Sequence, residues 1–381
     1  MIVILILILC SYYIMKSCDS FELAANYLGR HMPNGMKGAT LNAVGSSLPE
    51  LMTTIFFLFL YHDIEGFSSG VATCAGSSIY NMIIIPGLCF LAVYFIGVYQ
   101  KNHTERQTIN KITVERQTLI RDGFFFILAQ TGLIYVLSQN QIGWMSGVIL
   151  LSSYILYLMV HFKNYLSHKK NYVPSERDDH AHEVGQKTHV IKDILTCNFF
   201  GLFFNRKKLN THRAWVILSL SVTIMGVACY GLTEAINIIA QFFGIESFFA
   251  AIVLAAAATS IPDTILSIKD ALNGKFDDAF SNAFGSNIFN ITIGIGLPLL
   301  CYSLIFGPII ISSGDLPVRS LQIFIFLASL ITFATFLSQH KIGIGKISLL
   351  LCVYIVWIIF VVSYAFEIKG LLSLFSWIFQ L

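Results

Sequence analysis

Charged residues are scarce in this chain. Asp, Glu, Lys and Arg make up only 12% of its 381 residues, whereas apolar residue types make up 56%. A soluble domain carries about 25% charged residues, because its surface must be solvated. The scarcity therefore argues against a soluble enzyme, a nucleic-acid-binding protein and a disordered chain. The net charge of +3 is too small to indicate a polyanionic partner.

Paired cysteines are also missing. The eight cysteines are scattered, mostly within apolar runs, and no CxxC is present, so neither a disulfide framework nor a metal framework is indicated. The apolar run at residues 1–15 has no basic residue before it. We therefore interpret it as a first membrane span rather than a secretory signal.

What the chain does contain is a series of long apolar runs. A spanning helix needs about 20 mostly apolar residues. Ten candidate runs are present, with cores at 1–16 (continuing into an amphipathic stretch at 18–29), 36–61, 67–97, 123–138, 142–162, 213–238, 247–271, 277–306, 320–338 and 346–366. We predict an all-α integral membrane protein with ten transmembrane helices. A first five-helix unit at 1–162 is separated from a second at 213–381 by one polar loop at 163–212.

The basic residues predict the topology. Loops after odd-numbered spans, together with the central loop, hold 22 of the 24, and only Arg319 and Lys369 lie on the other side. The positive-inside rule then places the central loop in the cytoplasm and both termini outside, in a multi-pass protein of the cell (plasma or inner) membrane. Because five is odd, the two units cross the membrane in opposite directions, as two inverted repeats would.

Two carboxylates lie in the middle of predicted spans. Glu50 is near the centre of the second span and Asp263 near the centre of the seventh. An unpaired charge at the bilayer centre costs about 2.5–3.5 kcal/mol, so such residues are functional candidates. Both acids end the same pattern of two hydroxyls, an apolar residue, a proline and an acid, which reads GSSLPE at 45–50 and ATSIPD at 258–263.

The prolines in these segments are expected to break their helices. A proline lacks an N–H and collides with the carbonyl four residues back, so Pro49 frees the carbonyl of Gly45 and Pro262 frees that of Ala258. Residues three and four positions before an acid share its helical face. The hydroxyls expected to flank the acids belong to Ser46, Ser47, Thr259 and Ser260.

The following span of each unit repeats a second pattern, GSSIYN at 76–81 and GSNIFN at 285–290. Small residues pack between membrane helices, which is our interpretation of Gly76 and Gly285. Amide oxygens coordinate hard cations, so the asparagines are candidate ligands or supporting residues. The polar residues that share a face here are Ser77 with Asn81 and Ser286 with Asn290.

A third repeated feature, a glutamate, lies upstream in each unit. Glu22 precedes Glu50 by 28 residues, and Glu234 precedes Asp263 by 29. We interpret Glu22 and Glu234 as interfacial, structural residues rather than ligands.

The four segments at 45–50, 76–81, 258–263 and 285–290 supply only hard oxygen donors. They contain no His or Cys, which argues against zinc or copper. Two facing carboxylates repel each other, whereas a divalent cation between them cancels the charge, and Ca²⁺ takes 6–8 oxygen ligands of these kinds. Na⁺ can use the same oxygens. A midplane site on broken helices between inverted repeats is typical of a secondary transporter.

These segments resemble the two alpha-repeats of the calcium/cation antiporter superfamily, the sodium/calcium exchangers, over about 38–88 and 250–300. The resemblance implies exchange of Ca²⁺ for Na⁺ by alternating access, in which spans one and six slide against the rest. It implies a transporter rather than an enzyme, with no cofactor beyond the transported ions. Its expected partners are Ca²⁺, Na⁺ and the lipid bilayer, with no nucleic acid.

The same resemblance assigns roles to the site residues. Glu50 and Asp263 would be the shared metal ligands, and the carbonyls of Ser46 and Thr259 would add to the Ca²⁺ site. Hydroxyls at the Na⁺ positions would come from Ser47, Ser260, Ser77 and Ser286.

Three features depart from the family pattern. Asn290 replaces the Asp that is typical of potassium-dependent exchangers, which predicts transport independent of K⁺. Ala258 replaces the usual glycine, so opening of the backbone there depends more on Pro262. The first span starts very near Met1 and looks short. In addition, the central loop of about 50 residues has no room for the large regulatory calcium-binding domains of animal plasma-membrane exchangers, and we expect none.

Several alternatives stay open at this point. The nearest is a proton-coupled Ca²⁺/cation antiporter in which one of the two acids carries H⁺. An intramembrane aspartyl protease would also use two acids, although this chain lacks the GxGD motif that such proteases carry. A channel is a further alternative, but paired deep acids favour tight binding with alternating access over rapid conduction. The run DDHAHE at 178–183 is interpreted as a solvated loop rather than a metal site.

The sequence NHT at 102–104 tests the predicted orientation. It is an acceptor for N-glycosylation, but the topology places it in the cytoplasm. We expect Asn102 to remain unmodified when the chain is inserted into microsomes, as measured by the absence of a glycosidase-sensitive change in gel mobility. Glycosylation of Asn102 would contradict the orientation.

Overall fold

The computed structural model describes residues 2–29, 43–99, 106–168, 193, 196–199, 202, 209–311, 317–338 and 341–373. Three features of the sequence lie outside these residues, namely the glycosylation acceptor at 102–104, the run at 178–183 and the end of the apolar tail at 374–381. The first part of the predicted second span, 36–42, also lies outside them.

Helices follow the predicted spans in order. The first unit contains α1 (Ile2–Leu28), α2 (Ala43–Tyr61), α3 (Asp63–Phe95), α4 (Arg116–Leu137) and α5 (Trp144–His168). The second unit contains α6 (Thr211–Phe243), α7a (Ser247–Thr259), α7b (Ile261–Leu272), α8 (Phe276–Phe306), α9 (Pro317–Leu337) and α10 (Ile344–Ala365), and a short α11 (Lys369–Leu372) follows.

Most of these helices can cross a membrane. Among the described residues, eight are long and apolar enough, and α7a with α7b forms a ninth if the bent pair is one span. Helix α5 is apolar only over Trp144–Val160 and falls short of the same length. The prediction of an all-α membrane protein is confirmed, and the ten-span layout fits these helices.

Four short strands connect the units. They are β1 (Ile112–Thr113) after α3, β2 (Gln141–Ile142) after α4, β3 (Ile309–Ile310) after α8 and β4 (Lys341–Ile342) after α9. β1 pairs with β4 and β2 pairs with β3, both antiparallel. Paired strands lie about 4.8 Å apart, so each pair must lie on one side of the membrane. Loops after odd-numbered helices therefore meet each other, and so do loops after even-numbered ones, as the predicted alternation requires.

The strand pairing also relates the two units to each other. Exchanging the units converts β1 into β3 and β4 into β2, so that each pair becomes the other pair. Equivalent loops of the two units lie on opposite sides of the membrane. This is the relation expected of inverted repeats.

Helix α3 lies at the centre of the bundle and contacts α2, α7a, α7b, α8, α9 and α10. Helices α1 and α6 pack along each other more extensively than any other pair of described helices. Near the end of α1 and the start of α6, Cys197 and Phe199 of the central loop pack against Ala24 and Ile217. The molecule thus consists of a central group of helices and a peripheral pair, α1 and α6.

Gly76 allows α3 to approach the backbone of α7a. A Cβ atom added at Gly76 would overlap the carbonyl oxygen of Ile252 and come within 2.9 Å of the Ala256 Cβ. The packing interpretation of this glycine agrees with the structure. Gly285 differs, because its nearest neighbour would be the Tyr157 hydroxyl at 3.8 Å, an ordinary contact. The packing interpretation does not hold for Gly285.

This difference between equivalent glycines is testable. We expect Gly76→Ala to lower the free energy of unfolding by about 1–3 kcal/mol, because the added methyl group has no space. The measurement is the midpoint of thermal unfolding in detergent. Gly285→Ala is the matched control and should leave the midpoint unchanged. An equal loss in both variants would contradict the close approach of α3 and α7a.

Candidate functional site

The two predicted acids lie in the centre of the bundle. Glu50 on α2 and Asp263 on α7b are both fully buried. In the described part of the chain, neither acid has a basic side chain within ion-pair distance. An isolated buried charge is very costly, so the surroundings of these carboxylates must stabilise or neutralise them.

The seventh span is broken beside Asp263. Helix α7a ends at Thr259, α7b begins at Ile261, and the two are bent by 41°. Pro262 lies in the first turn of α7b, where its missing N–H costs no helical hydrogen bond. The expected break is present here, with Ala258 in the position of a glycine. Asp263 also lies in this first turn, where the helix dipole favours a negative charge.

Over its described residues, the second span is not broken. Helix α2 is continuous from Ala43 to Tyr61 with Pro49 inside it, so the expected break at Gly45 and Pro49 is absent. A neighbouring helix instead contacts the Gly45 carbonyl, which Pro49 leaves without a donor from its own helix. The Cys18 thiol on α1 donates to the Gly45 carbonyl at 3.6 Å, and the Cys229 thiol on α6 donates to the Pro49 carbonyl at 3.6 Å. Such outside partners allow a membrane helix to continue through a proline.

Gly45 has a packing role in this arrangement. A Cβ atom at this position would lie 2.8 Å from the ring of Phe21 on α1. Glycine is therefore required for the close approach of α1 to α2.

A chain of hydrogen bonds connects Glu50 to three other helices. The Ser77 hydroxyl on α3 donates to Glu50 Oε1 at 2.8 Å and lies 2.6 Å from the Ser260 hydroxyl. Asn290 Nδ2 on α8 donates to the same Ser77 oxygen at 3.2 Å. Residues that the sequence patterns singled out in both units are thus joined at Ser77.

Asp263 is held by donors from both units. The Ser286 hydroxyl on α8 donates to Oδ1 at 2.8 Å, and Asn81 Nδ2 on α3 donates to Oδ2 at 3.2 Å. The Ser46 hydroxyl lies 3.5 Å from that of Ser286 and also lies beside Asp263. Asn81 and Ser46 belong to the first unit, but they lie beside the acid of the second unit.

Two predicted residues are less directly connected to the acids. The Thr259 hydroxyl donates to the Ala255 carbonyl of its own helix at 3.1 Å, although Thr259 also lies beside Glu50. Ser47 is fully buried, and its hydroxyl has no hydrogen-bond partner in the described part of the chain.

Several buried oxygens around the acids lack a hydrogen-bond partner among the described residues. They are Glu50 Oε2, Ser47 Oγ, Asn81 Oδ1 and Asn290 Oδ1. A buried polar group without a partner costs about 1–3 kcal/mol. A dehydrated cation is one kind of partner that such oxygens take. Carboxylate, hydroxyl and amide oxygens are the donors that Ca²⁺ and other hard cations take.

A narrow cavity leads toward the site between α1, α2 and α7b. Its volume is about 30 Å³, and its lining includes Cys18, Glu22, Ser46 and Pro262. The residues near its outer end lie on the side predicted to be cytoplasmic. Glu22, which also accepts a hydrogen bond from Asn26 at 3.5 Å, lies on this path.

Sequence reasoning missed Asn282. Its Nδ2 atom on α8 lies 3.4 Å from Asp263 Oδ1 and 3.1 Å from the Ser267 hydroxyl. A signal was present, because Asn282, Ser286 and Asn290 recur every four residues and therefore share one helical face. Asn282 lies outside the six-residue pattern at 285–290 that the two units share.

Sequence reasoning also missed a third buried carboxylate. Asp122 on α4 is fully buried, forms an ion pair with Arg121 at 2.8 Å and accepts from the Ser281 hydroxyl at 3.1 Å. It precedes the predicted core of the fourth span by one residue and was taken for a loop residue. Its basic partner distinguishes Asp122 from the two central acids.

Comparison with known sequences adds an independent observation. A family profile described as "Sodium/calcium exchanger protein" matches residues 2–163 and 213–363. Human sodium/potassium/calcium exchanger 5 is 25% identical over 359 residues, covering 76% of this chain and 67% of that protein. The inner membrane protein YrbG of Escherichia coli strain K12 is 25% identical over 289 residues, covering 75% of this chain and 76% of that protein.

Solved structures share the fold. The H⁺/Ca²⁺ exchanger CAX superposes with a TM-score of 0.67 over 99% of this chain and 91% of its own, at 16% identity. The sodium-calcium exchanger NCX_Mj superposes with a TM-score of 0.54 over 93% of this chain and 97% of its own, at 21% identity. Because these identities are low, the solved structures show only that the fold is shared. The family profile, in contrast, covers nearly all of both five-helix units. The chain belongs to the sodium/calcium exchanger family.

Proposed function

We propose that this protein is a secondary-active antiporter that exchanges Ca²⁺ for Na⁺ across a membrane by alternating access. The observation that carries the proposal is the buried pair Glu50 and Asp263, which lacks a basic partner among the described residues and is surrounded by unpaired oxygens. A divalent cation between the carboxylates cancels their repulsion. Na⁺ accepts the same oxygen donors with a smaller charge.

The ligands follow from the chemistry of each group. Glu50 and Asp263 supply the charge, and Asn81 and Asn290 supply amide oxygens that have no other partner among the described residues. Main-chain carbonyls come from Ser46 and Thr259. Hydroxyls at the Na⁺ positions come from Ser47, Ser77, Ser260 and Ser286.

Alternating access arises from sliding of the peripheral pair α1 and α6 past the central helices. Beside the site, the thiols of Cys18 and Cys229 connect this pair to main-chain carbonyls of α2, at 3.6 Å each. A thiol is a weak donor, so these contacts break at little cost when the pair moves. The narrow cavity beside α1 lies along the same boundary.

The identity of the coupling ion is the most detailed part of the proposal. Asn290 is neutral and donates to Ser77, so the site carries one carboxylate fewer than a site with Asp at this position. A smaller negative charge suits fewer cations, and we therefore propose exchange without K⁺. The human relative named for potassium as well as sodium and calcium is only 25% identical.

A second candidate is a proton-coupled Ca²⁺/cation antiporter. Glu50 Oε2 has no donor among the described residues, and this oxygen could hold a proton when no cation is bound. The fold similarity to an H⁺/Ca²⁺ exchanger points to the same alternative. The two candidates share the site and differ in the ion that drives transport.

Transport in vesicles separates these candidates. We expect an imposed Na⁺ gradient to drive ⁴⁵Ca²⁺ uptake at equal pH on both sides, because Na⁺ and Ca²⁺ compete for the same oxygens. The rate should be the same with and without K⁺. Uptake that requires a pH gradient and ignores Na⁺ would support the proton-coupled candidate and overturn Na⁺ exchange.

Substitution of the acids tests the site. Glu50→Gln and Asp263→Asn keep the size of each side chain but remove its charge, so we expect each to reduce ⁴⁵Ca²⁺ uptake to background. Glu22→Gln is the matched control in the access cavity and should keep at least about half of the activity, since water partly screens the charge of this half-buried side chain. Full activity of Asp263→Asn would contradict the assigned site.

A further inference from the structure

The two carboxylates are held to different extents. Asp263 accepts hydrogen bonds on both oxygens, from Ser286 and Asn282 on Oδ1 and from Asn81 on Oδ2. Glu50 accepts a side-chain hydrogen bond on Oε1 from Ser77, and its Oε2 has no partner among the described residues. The repeated sequence patterns alone would give both acids the same surroundings.

Asn282 contributes to this difference from outside the repeated patterns. Its amide nitrogen contacts the Asp263 carboxylate at 3.4 Å, the Asp263 carbonyl at 3.5 Å and the Ser267 hydroxyl at 3.1 Å. Asp263 and Ser267 are one turn apart on α7b. The side chain therefore connects α8 to one face of the helix that starts at the break.

The connection matters because of where α7b begins. The helix is separated from α7a at Ser260 and bent away from it by 41°, so the helix before the break does not fix its orientation. Asp263 lies in the first turn after the break. A side chain that holds both Asp263 and the next turn fixes the carboxylate relative to Ser286 and Asn290, which lie on the same face of α8 as Asn282.

The first unit lacks this connection. The residue four positions before Ser77 is Thr73, whose hydroxyl donates to the Ser69 carbonyl of its own helix. The residue four positions after Glu50 is Thr54, whose hydroxyl donates to the Glu50 carbonyl at 2.8 Å. In the described part of the chain, neither side chain hydrogen-bonds to the Glu50 carboxylate.

We propose that Asn282 is a positioning residue that holds the Asp263 carboxylate in its ion-binding orientation before the cation arrives. Glu50, with one oxygen unpaired among the described residues, is the acid that adjusts to the incoming cation. This inference rests on the proposed function. Holding one ligand in place reduces the ordering that binding requires, so Asn282 strengthens cation binding without entering the translocation step.

The test compares the half-saturating Ca²⁺ concentration of wild type and Asn282→Ala, with the purified full-length protein. It is measured twice, as the Ca²⁺-dependent rise in the thermal unfolding midpoint in detergent and as ⁴⁵Ca²⁺ uptake in proteoliposomes. We expect Asn282→Ala to raise this concentration by about five- to ten-fold, as for loss of a hydrogen bond to a charged group. Uptake at saturating Ca²⁺ should remain close to that of wild type.

Asn287→Ala is the matched control. Asn287 is also a buried asparagine of α8, but its Nδ2 donates to the Ser78 carbonyl at 3.0 Å and not to an acid. We expect it to lower the unfolding midpoint without changing the half-saturating Ca²⁺ concentration. An equal rise in both variants would overturn the proposal, because the effect would then come from general loosening of α8.

Ser267→Ala keeps the test decisive if Asn282→Ala does not fold. It removes the second partner of the Asn282 amide and should raise the half-saturating concentration by about two- to three-fold. An unchanged value in the folded variant, or a loss of maximal uptake alone, would overturn the positioning role. A wild-type protein that does not respond to Ca²⁺ would instead refute the proposed function, before any variant is compared.

Discussion

The burial of Glu50 and Asp263 without a basic partner among the described residues is the constraint on which the structure depends. Asp122 shows the contrast, since an arginine neutralises it within its own helix. At the central pair, the compensation comes from hydroxyl and amide groups of four helices. These groups leave several oxygens unpaired among the described residues, and in the proposed function a removable cation completes this arrangement.

The two units share one sequence pattern but differ in backbone conformation. The second unit has a broken span at Ser260 and π-helical turns at Ala251–Ala255 and Asn290–Gly294. Helix α2 of the first unit is continuous through Pro49. Departures from α-helical geometry often occur at functional sites. Alternating access between inverted repeats requires that equivalent segments differ in any one state, and the asymmetry around the two acids agrees with that requirement.

Much of this site could be predicted from local sequence. The order of the spans, the paired acids and the hydroxyls before them follow from patterns within one helix, and the structure brings Glu50, Ser77, Ser260 and Asn290 together. What could not be predicted depends on contacts between helices. Helix α2 continues through Pro49 with the Cys18 thiol of α1 at the freed Gly45 carbonyl, and the role of Asn282 appears only when α8 lies against α7b. Gly76 and Gly285 occupy equivalent positions, yet only Gly76 faces a neighbouring backbone.

The central claim is that one cation site is shared by the two acids. The most direct measurement is anomalous diffraction from crystals of the full-length protein soaked in Sr²⁺, a heavier substitute for Ca²⁺, with and without excess Na⁺. The account predicts one strong peak in contact with the carboxylates of both Glu50 and Asp263, which disappears when Na⁺ is in excess. A peak that contacts only one acid, or a site that remains occupied by Sr²⁺ in excess Na⁺, would contradict it.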